Sequence, residues 1–126
     1  MLISPVELQV PDYIKDAMNK AGVSWQEVEK LEEAMPQLDV LYMTRVQRER
    51  FFNEADYIRL KDSYILDLAK LETAKQDLTI MHPLPRVNEI SVEVDDDERA
   101  CYFFQALCGK HIRMALILLL LGLKAE

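Results

Sequence analysis

The chain has 126 residues, half of them hydrophobic, with 15 basic and 22 acidic side chains for a formal net charge of −7. That is apolar enough for one domain with a moderate core, and it excludes a disordered chain. The acidic balance argues against nucleic acid and anionic membrane as partners, so any anion site must be a local basic cluster. Arg45, Arg48 and Arg50 form one.

Leu2-Ile3 reads as the tail of a strand ended by Ser4-Pro5. Pro11-Asp12-Tyr13 opens a helix with Tyr13, Ile14, Ala17 and Met18 on one face and Gly22 as its stop. Val23-Ser24-Trp25 is a short strand or a cap, and Ser24 with Glu27 fits a capping box. Glu27 to Met35 then reads as an acidic amphipathic helix stopped by Pro36. Asp39 to Met43 is an apolar strand without alternation, as in a parallel sheet covered on both faces. Thr44 to Phe52 is loop, and Asn53 to Ser63 and Asp67 to Lys75 are short helices. Leu78 to Met81 is a second buried strand, followed by an irregular loop from His82 to Glu93. Asp95-Asp96-Asp97 places acids at the positive end of a helix running through Cys108. Gly109 breaks it, and Lys110 to Leu123 is the last helix, weakened at Gly122.

Strands alternating with helices imply a single α/β layered domain with a parallel sheet. There is no internal repeat, low-complexity segment or domain boundary. Cys101 and Cys108 would lie about two turns apart on one helix face, too far to bond, and read as buried free thiols of a reducing compartment. With His82 and His111 they lack the close ligand pairs of a metal site, so none is expected. Met1 to Val10 has no basic leader region. The only long apolar run, Met114 to Leu123, is half of the about 20 residues a membrane span needs. The expected setting is the cytoplasm, or the inside of an organelle after import.

Two motifs carry chemistry. The first is Met81-His82-Pro83-Leu84-Pro85-Arg86-Val87-Asn88-Glu89-Ile90. Two prolines around one leucine nearly set three φ values and remove two donors, so carbonyl oxygens leave the strand in fixed places. Such acceptors suit an amide or carbamoyl NH2. The second is Leu38 to Phe51, with Thr44-Arg45-Val46-Gln47-Arg48-Glu49-Arg50 at its centre.

The first run resembles the HPLPRVxEI loop of aspartate carbamoyltransferase, and the second resembles that family's aspartate-binding strand and loop, in the family's order and spacing. Ser4-Pro5 with Pro11-Asp12, Glu32 to Pro36, Ala100 to Gln105 and Ile112 to Leu116 extend the resemblance over nearly the whole chain. The related ornithine enzyme has a cysteine where Pro83 stands and a different loop in place of the Arg45 segment, which disfavours it. Phe103-Phe104-Gln105 departs from the family's frequent Phe-Arg-Gln, on a helix expected to lie away from substrate.

The resemblance implies a three-layer Rossmann-like fold, a parallel sheet with flanking helices, here incomplete. Residues 1–126 would be the C-terminal portion of the aspartate-binding domain. The carbamoyl-phosphate domain, with its phosphate loop and histidine, is absent, as are the opening strand and helix of the aspartate domain. The implied reaction transfers the carbamoyl group of carbamoyl phosphate to L-aspartate without metal or organic cofactor, and this chain alone would be inactive. The implied partners are the missing domain, a catalytic trimer, and fused or regulatory subunits.

Residue by residue, Arg45 offers two parallel donors to the aspartate carboxylate, and Gln47 an amide donor to the same group. Without the motif, a surface ion pair for Arg45 and a solvated Gln47 would serve as well. Pro83, Leu84 and Pro85 would hold the carbamoyl group through backbone oxygens, or simply end the strand rigidly. Glu49 and Arg50 would hold the closed domain arrangement, the arginine pairing with an acid on the other domain. His82 reads as a structural histidine rather than a base. Arg86, with Glu89 or Asn88, would tie the loop together, and Tyr57 would hydrogen-bond the proline loop when the mobile loop opens. The competing reading is a non-catalytic binding or regulatory module that kept the shape. Intact Arg45, Gln47 and the proline loop weigh against it.

Overall fold

A computed structural model describes residues 1–46, 54–60 and 64–123. Its elements are β1 (Leu2–Ile3), α1 (Asp12–Lys20), β2 (Glu27–Val28), α2 (Leu31–Ala34), β3 (Val40–Tyr42), α3 (Glu54–Leu60), α4 (Leu68–Leu71), β4 (Thr79–Met81) and α5 (Tyr102–Leu120). β1 pairs with β2 and β3 with β4, both in parallel, so the chain makes two strand–helix–strand units. The expected α/β class and parallel pairing hold, but the strands form two separate pairs rather than one continuous sheet.

Local chemistry explains the boundaries. Pro11 supplies the fixed φ that starts α1. Gly22, at φ 68°, ends it: the N–H of Val23 reaches back to Met18 O and that of Gly22 to Asn19 O. Asp67 caps α4 by accepting from the Lys70 N–H at 2.8 Å. Of the two expected short helices, the first is described over Glu54–Leu60 and the second is trimmed to Leu68–Leu71.

Five expectations are corrected. Glu27-Val28 is a strand, not the start of a helix; Leu2 and Ser4 donate to the carbonyls of Gln26 and Val28 at 2.8 and 3.2 Å, and Glu27 pairs with Lys15 at 2.9 Å. The helix starts only at Leu31. Asp95, Asp96 and Asp97 do not cap α5, whose N-cap position is Cys101. Asp95 and Asp96 end a 3-10 turn over Val92–Asp96, and Asp95 and Asp97 go to Arg86 and Arg99. Gly109 does not break α5, which runs 19 residues. An interior glycine costs only about 1 kcal/mol, less than giving up the ladder on either side. Lastly, β3 is covered on one face only, with Leu41 buried while Val40 and Tyr42 are about half exposed. Cys101 and Cys108 are free thiols, half-buried rather than buried.

The core gathers Leu31, Met35, Leu41, Met43, Leu66, Leu71, Leu78, Ile80, Ile90, Val94 and Tyr102 between the β3–β4 pair and the loops around it. The outer edge of β4 is closed: Ile80 exchanges backbone hydrogen bonds with Arg99 and Cys101. The outer edge of β3 is not. Residues 39, 41 and 43 face β4, so the N–H and C=O groups of Val40 and Tyr42 point the other way, and among the described residues nothing pairs with them. They look onto a groove of about 370 Å³ bounded by Leu2, Ile3, Leu31, Leu38, Met43 and Tyr64. α5 is apolar and long enough to cross a membrane by length and composition, yet of its residues only Tyr102 is buried. The helix is longer than the ten-residue apolar run Met114 to Leu123 because it continues back through Arg113, His111 and Lys110 to Tyr102.

Candidate functional site

Two loops leave the C-terminal ends of adjacent parallel strands. One follows β3 and begins Met43-Thr44-Arg45-Val46; the other follows β4 and runs from His82 to Ile90. Ligands of open α/β sheets bind outside the carboxyl ends of strands, where such loops converge.

The second loop is wired around His82, which is 2% exposed. The Leu84 N–H donates to His82 Nδ1 at 2.9 Å. Nδ1 therefore holds the lone pair and Nε2 the proton, which it donates to Glu89 Oε1 at 2.8 Å. The other Glu89 oxygen accepts from the Val87 and Asn88 N–H groups at 3.0 and 3.1 Å. Burial opposes charge on Glu89, but the amide donors and His82 outweigh it and hold its carboxyl below the usual range. His82 is thus buried with both ring nitrogens hydrogen-bonded inside the loop.

Leu84 sits at φ 49°, a region costing a branched side chain about 1–3 kcal/mol. The His82 hydrogen bond and the packing of Leu84 against the core hold it there. The Leu84–Pro85 peptide is cis. Among the described residues nothing donates to the carbonyls of Pro83, Leu84 or Pro85. The loop therefore presents fixed acceptors that no described residue uses.

Arg86 does not tie to Glu89 or Asn88 as expected, because His82 and the loop amides already occupy Glu89. It makes a two-pronged ion pair with Asp95, Nη2 to Oδ2 at 2.6 Å, and Nη1 also reaches the Tyr102 hydroxyl at 3.3 Å. The Tyr102 hydroxyl donates to Asp95. Arg86 and Tyr102 hold the Asp95 carboxyl below its ordinary value, while burial, then Asp95, pushes the Tyr102 hydroxyl up to about 12. This cluster fastens the loop to the first turn of α5.

Arg45 is exposed and borders the groove with Thr44 and Val46. Gln47, Glu49 and Arg50 lie outside the described residues, and Tyr57 is half-buried on α3. Sequence reasoning missed Asp95, Tyr102 and Gln105. Gln105, in the first turns of α5, accepts from the His82 N–H at 2.9 Å and donates to the Tyr42 hydroxyl at 3.1 Å. Only the acid run around Asp95 left a signal; a lone glutamine on an apolar helix leaves none. Among the described residues no group of three or more His, Cys, Asp or Glu is placed to hold a metal ion.

Residues 2–120 match the family described as "Aspartate/ornithine carbamoyltransferase, Asp/Orn binding domain". The chain belongs to that family. The aspartate carbamoyltransferase catalytic subunit of Finegoldia magna is 63% identical over 124 residues, which is 98% of this chain and 40% of that protein. The catalytic subunit of Clostridium botulinum is 59% identical over 125 residues, 98% of this chain and 41% of that one. Among solved structures, the catalytic subunit of M. jannaschii aspartate transcarbamoylase matches with a TM-score of 0.80 at 39% identity, covering 91% of this chain and 38% of that chain. The Trypanosoma cruzi enzyme in complex with carbamoyl phosphate and aspartate matches with a TM-score of 0.79 at 36% identity, covering 92% and 39%. The chain therefore spans about 40% of the length of the curated relatives it matches. The two parallel units and their helices are part of the carbamoyltransferase Asp/Orn-binding fold.

Proposed function

We propose that this chain is the aspartate-binding part of an aspartate carbamoyltransferase, which joins carbamoyl phosphate and L-aspartate into N-carbamoyl-L-aspartate and phosphate in pyrimidine biosynthesis. The observation that carries the reading is the rigid Pro83-Leu84-Pro85 loop, whose carbonyls take no hydrogen bond from the described residues, one strand over from Arg45. The carbonyls accept the carbamoyl NH2, and the Arg45 guanidinium takes a carboxylate of aspartate in two parallel hydrogen bonds. Gln47 adds an amide donor to that carboxylate, and Glu49, Arg50 and Tyr57 belong to loop and domain closure.

The amine lone pair of aspartate forms the new C–N bond at the carbamoyl carbon. The bond from that carbon to the phosphate oxygen breaks, and the amine loses a proton to the departing phosphate or to water. Orientation and oxyanion stabilisation do most of such work. The phosphate-binding groups belong to the carbamoyl-phosphate domain of the whole enzyme, which works as a catalytic trimer in the cytoplasm. The test compares the full-length protein that carries this segment with these 126 residues alone. Formation of labelled carbamoyl aspartate by the full-length protein and none by the segment is expected. A full-length protein that carbamoylates ornithine, or neither amino acid, overturns the reading.

A further inference from the structure

We infer that Gln105 is a positioning residue that sets the spacing between the two strand-end loops. The inference rests on the carbamoyl-transfer reading above. Tyr42 is the last residue of β3, three before Arg45, and His82 is the first residue after β4. The Gln105 carboxamide spans them with both of its ends: Oε1 accepts from the His82 N–H at 2.9 Å and Nε2 donates to the Tyr42 hydroxyl at 3.1 Å.

His82 is fixed from the other side too, by Glu89 and by the Leu84 N–H. The proline loop is therefore a rigid reference, and Gln105 is the arm that ties the end of β3 to it. Gln105 itself is held, because Tyr102, one helical turn earlier, is buried and bonded to Arg86 and Asp95. The bridge touches neither Arg45 nor the carbonyls of Pro83 and Leu84. It fixes where one set stands relative to the other.

Bringing an amine to a carbonyl carbon depends on that relative placement more than on the occupancy of either half-site. Losing the bridge should therefore lower kcat while leaving each substrate's KM nearly alone. Two substitutions at its ends should not compound, since either one breaks the same connection.

The experiment measures steady-state kinetics of the full-length protein as wild type, Gln105→Leu, Tyr42→Phe and the double variant, with thermal melting of each. Gln105→Leu should lower kcat about five- to tenfold, with both KM values within about threefold and the melting temperature little changed. Tyr42→Phe should shift kcat in the same direction, and the double variant should be no slower than Gln105→Leu. An unchanged kcat in Gln105→Leu, or single effects that multiply in the double variant, overturns the inference while the functional reading stands. A kcat loss that merely follows a lowered melting temperature overturns it as well. An inactive wild type overturns the functional reading, and the inference with it.

Discussion

The loop from His82 to Asp97 and the helix that follows it are built on opposite plans. In the loop, every charged side chain at its heart has a partner within this chain: His82 with Glu89, Arg86 with Asp95 and Tyr102. In α5, only Tyr102 is buried, and Leu107, Ile112, Met114, Leu116, Ile117, Leu119 and Leu120 are all exposed. α1 is similar, with no buried residue and Tyr13 71% exposed. Polar groups cannot wait for a partner in a dry interior, so they must be satisfied locally. Apolar faces can wait, because their cover need not come from the same segment. The strand-end loop is thus self-sufficient here, and the helices are not.

Breaking the self-sufficient half should cost most. Tyr102→Ala empties a fully buried aromatic site and strips a partner from Asp95, so urea denaturation of the chain should show a loss of about 3–5 kcal/mol. Arg45→Ala in the full-length protein should weaken aspartate use by about 2–5 kcal/mol, roughly 30- to 5000-fold, with little change in carbamoyl phosphate binding. Equal loss for both substrates would place Arg45 in the fold rather than at the ligand.

Smaller effects follow from titration. Asp95 is held below its unfolded value by Arg86 and Tyr102, so its contribution is complete above pH about 4 and disappears as pH falls through the folded value. Arg86→Met should flatten that acid limb in melts between pH about 5 and 2. Tyr102 has the opposite sign. Burial and Asp95 raise it to about 12, so its contribution is complete below the unfolded value near 10 and lost between there and 12. Tyr102→Phe should remove the alkaline loss.

The smallest expected effect sharpens the contrast from the other side. Leu119 is 75% exposed, so Leu119→Ala in the isolated chain should change stability by less than about 0.5 kcal/mol. The same uncovered stripe, Ile112, Ala115, Leu116, Leu119 and Leu120, should make the chain associate or bind apolar dyes. A sharp monomer by sedimentation, with cooperative melting and no dye binding, would mean that the chain covers these faces itself.

What could be read beforehand follows the same division. The continuous apolar runs at Val40 to Met43 and Leu78 to Met81 announced parallel strands, and Pro11 and Gly22 announced both ends of α1. The proline loop was legible because its residues restrict their own backbone. The capping box at Ser24 and Glu27 was a real local preference, but pairing with β1 and the Lys15 ion pair outweighed it. The run Asp95 to Asp97 looked like a helix start because the arginines that claim Asp95 and Asp97 are recognisable only once folded. The bridge through Gln105 joins residues 63 positions apart. No local pattern encodes such a link.

The unpaired edge of β3 should leave a mark in amide exchange. The N–H groups of Leu41 and Met43 are locked to β4, whereas those of Val40 and Tyr42 face the groove with no partner among the described residues. Deuterium uptake along this one strand should therefore alternate, slow and fast at successive residues, though all four share the same short segment. If another strand fills the groove in the full-length protein, the alternation should vanish and the four amides should slow together. The strand then becomes its own gauge of whether its neighbour is in place.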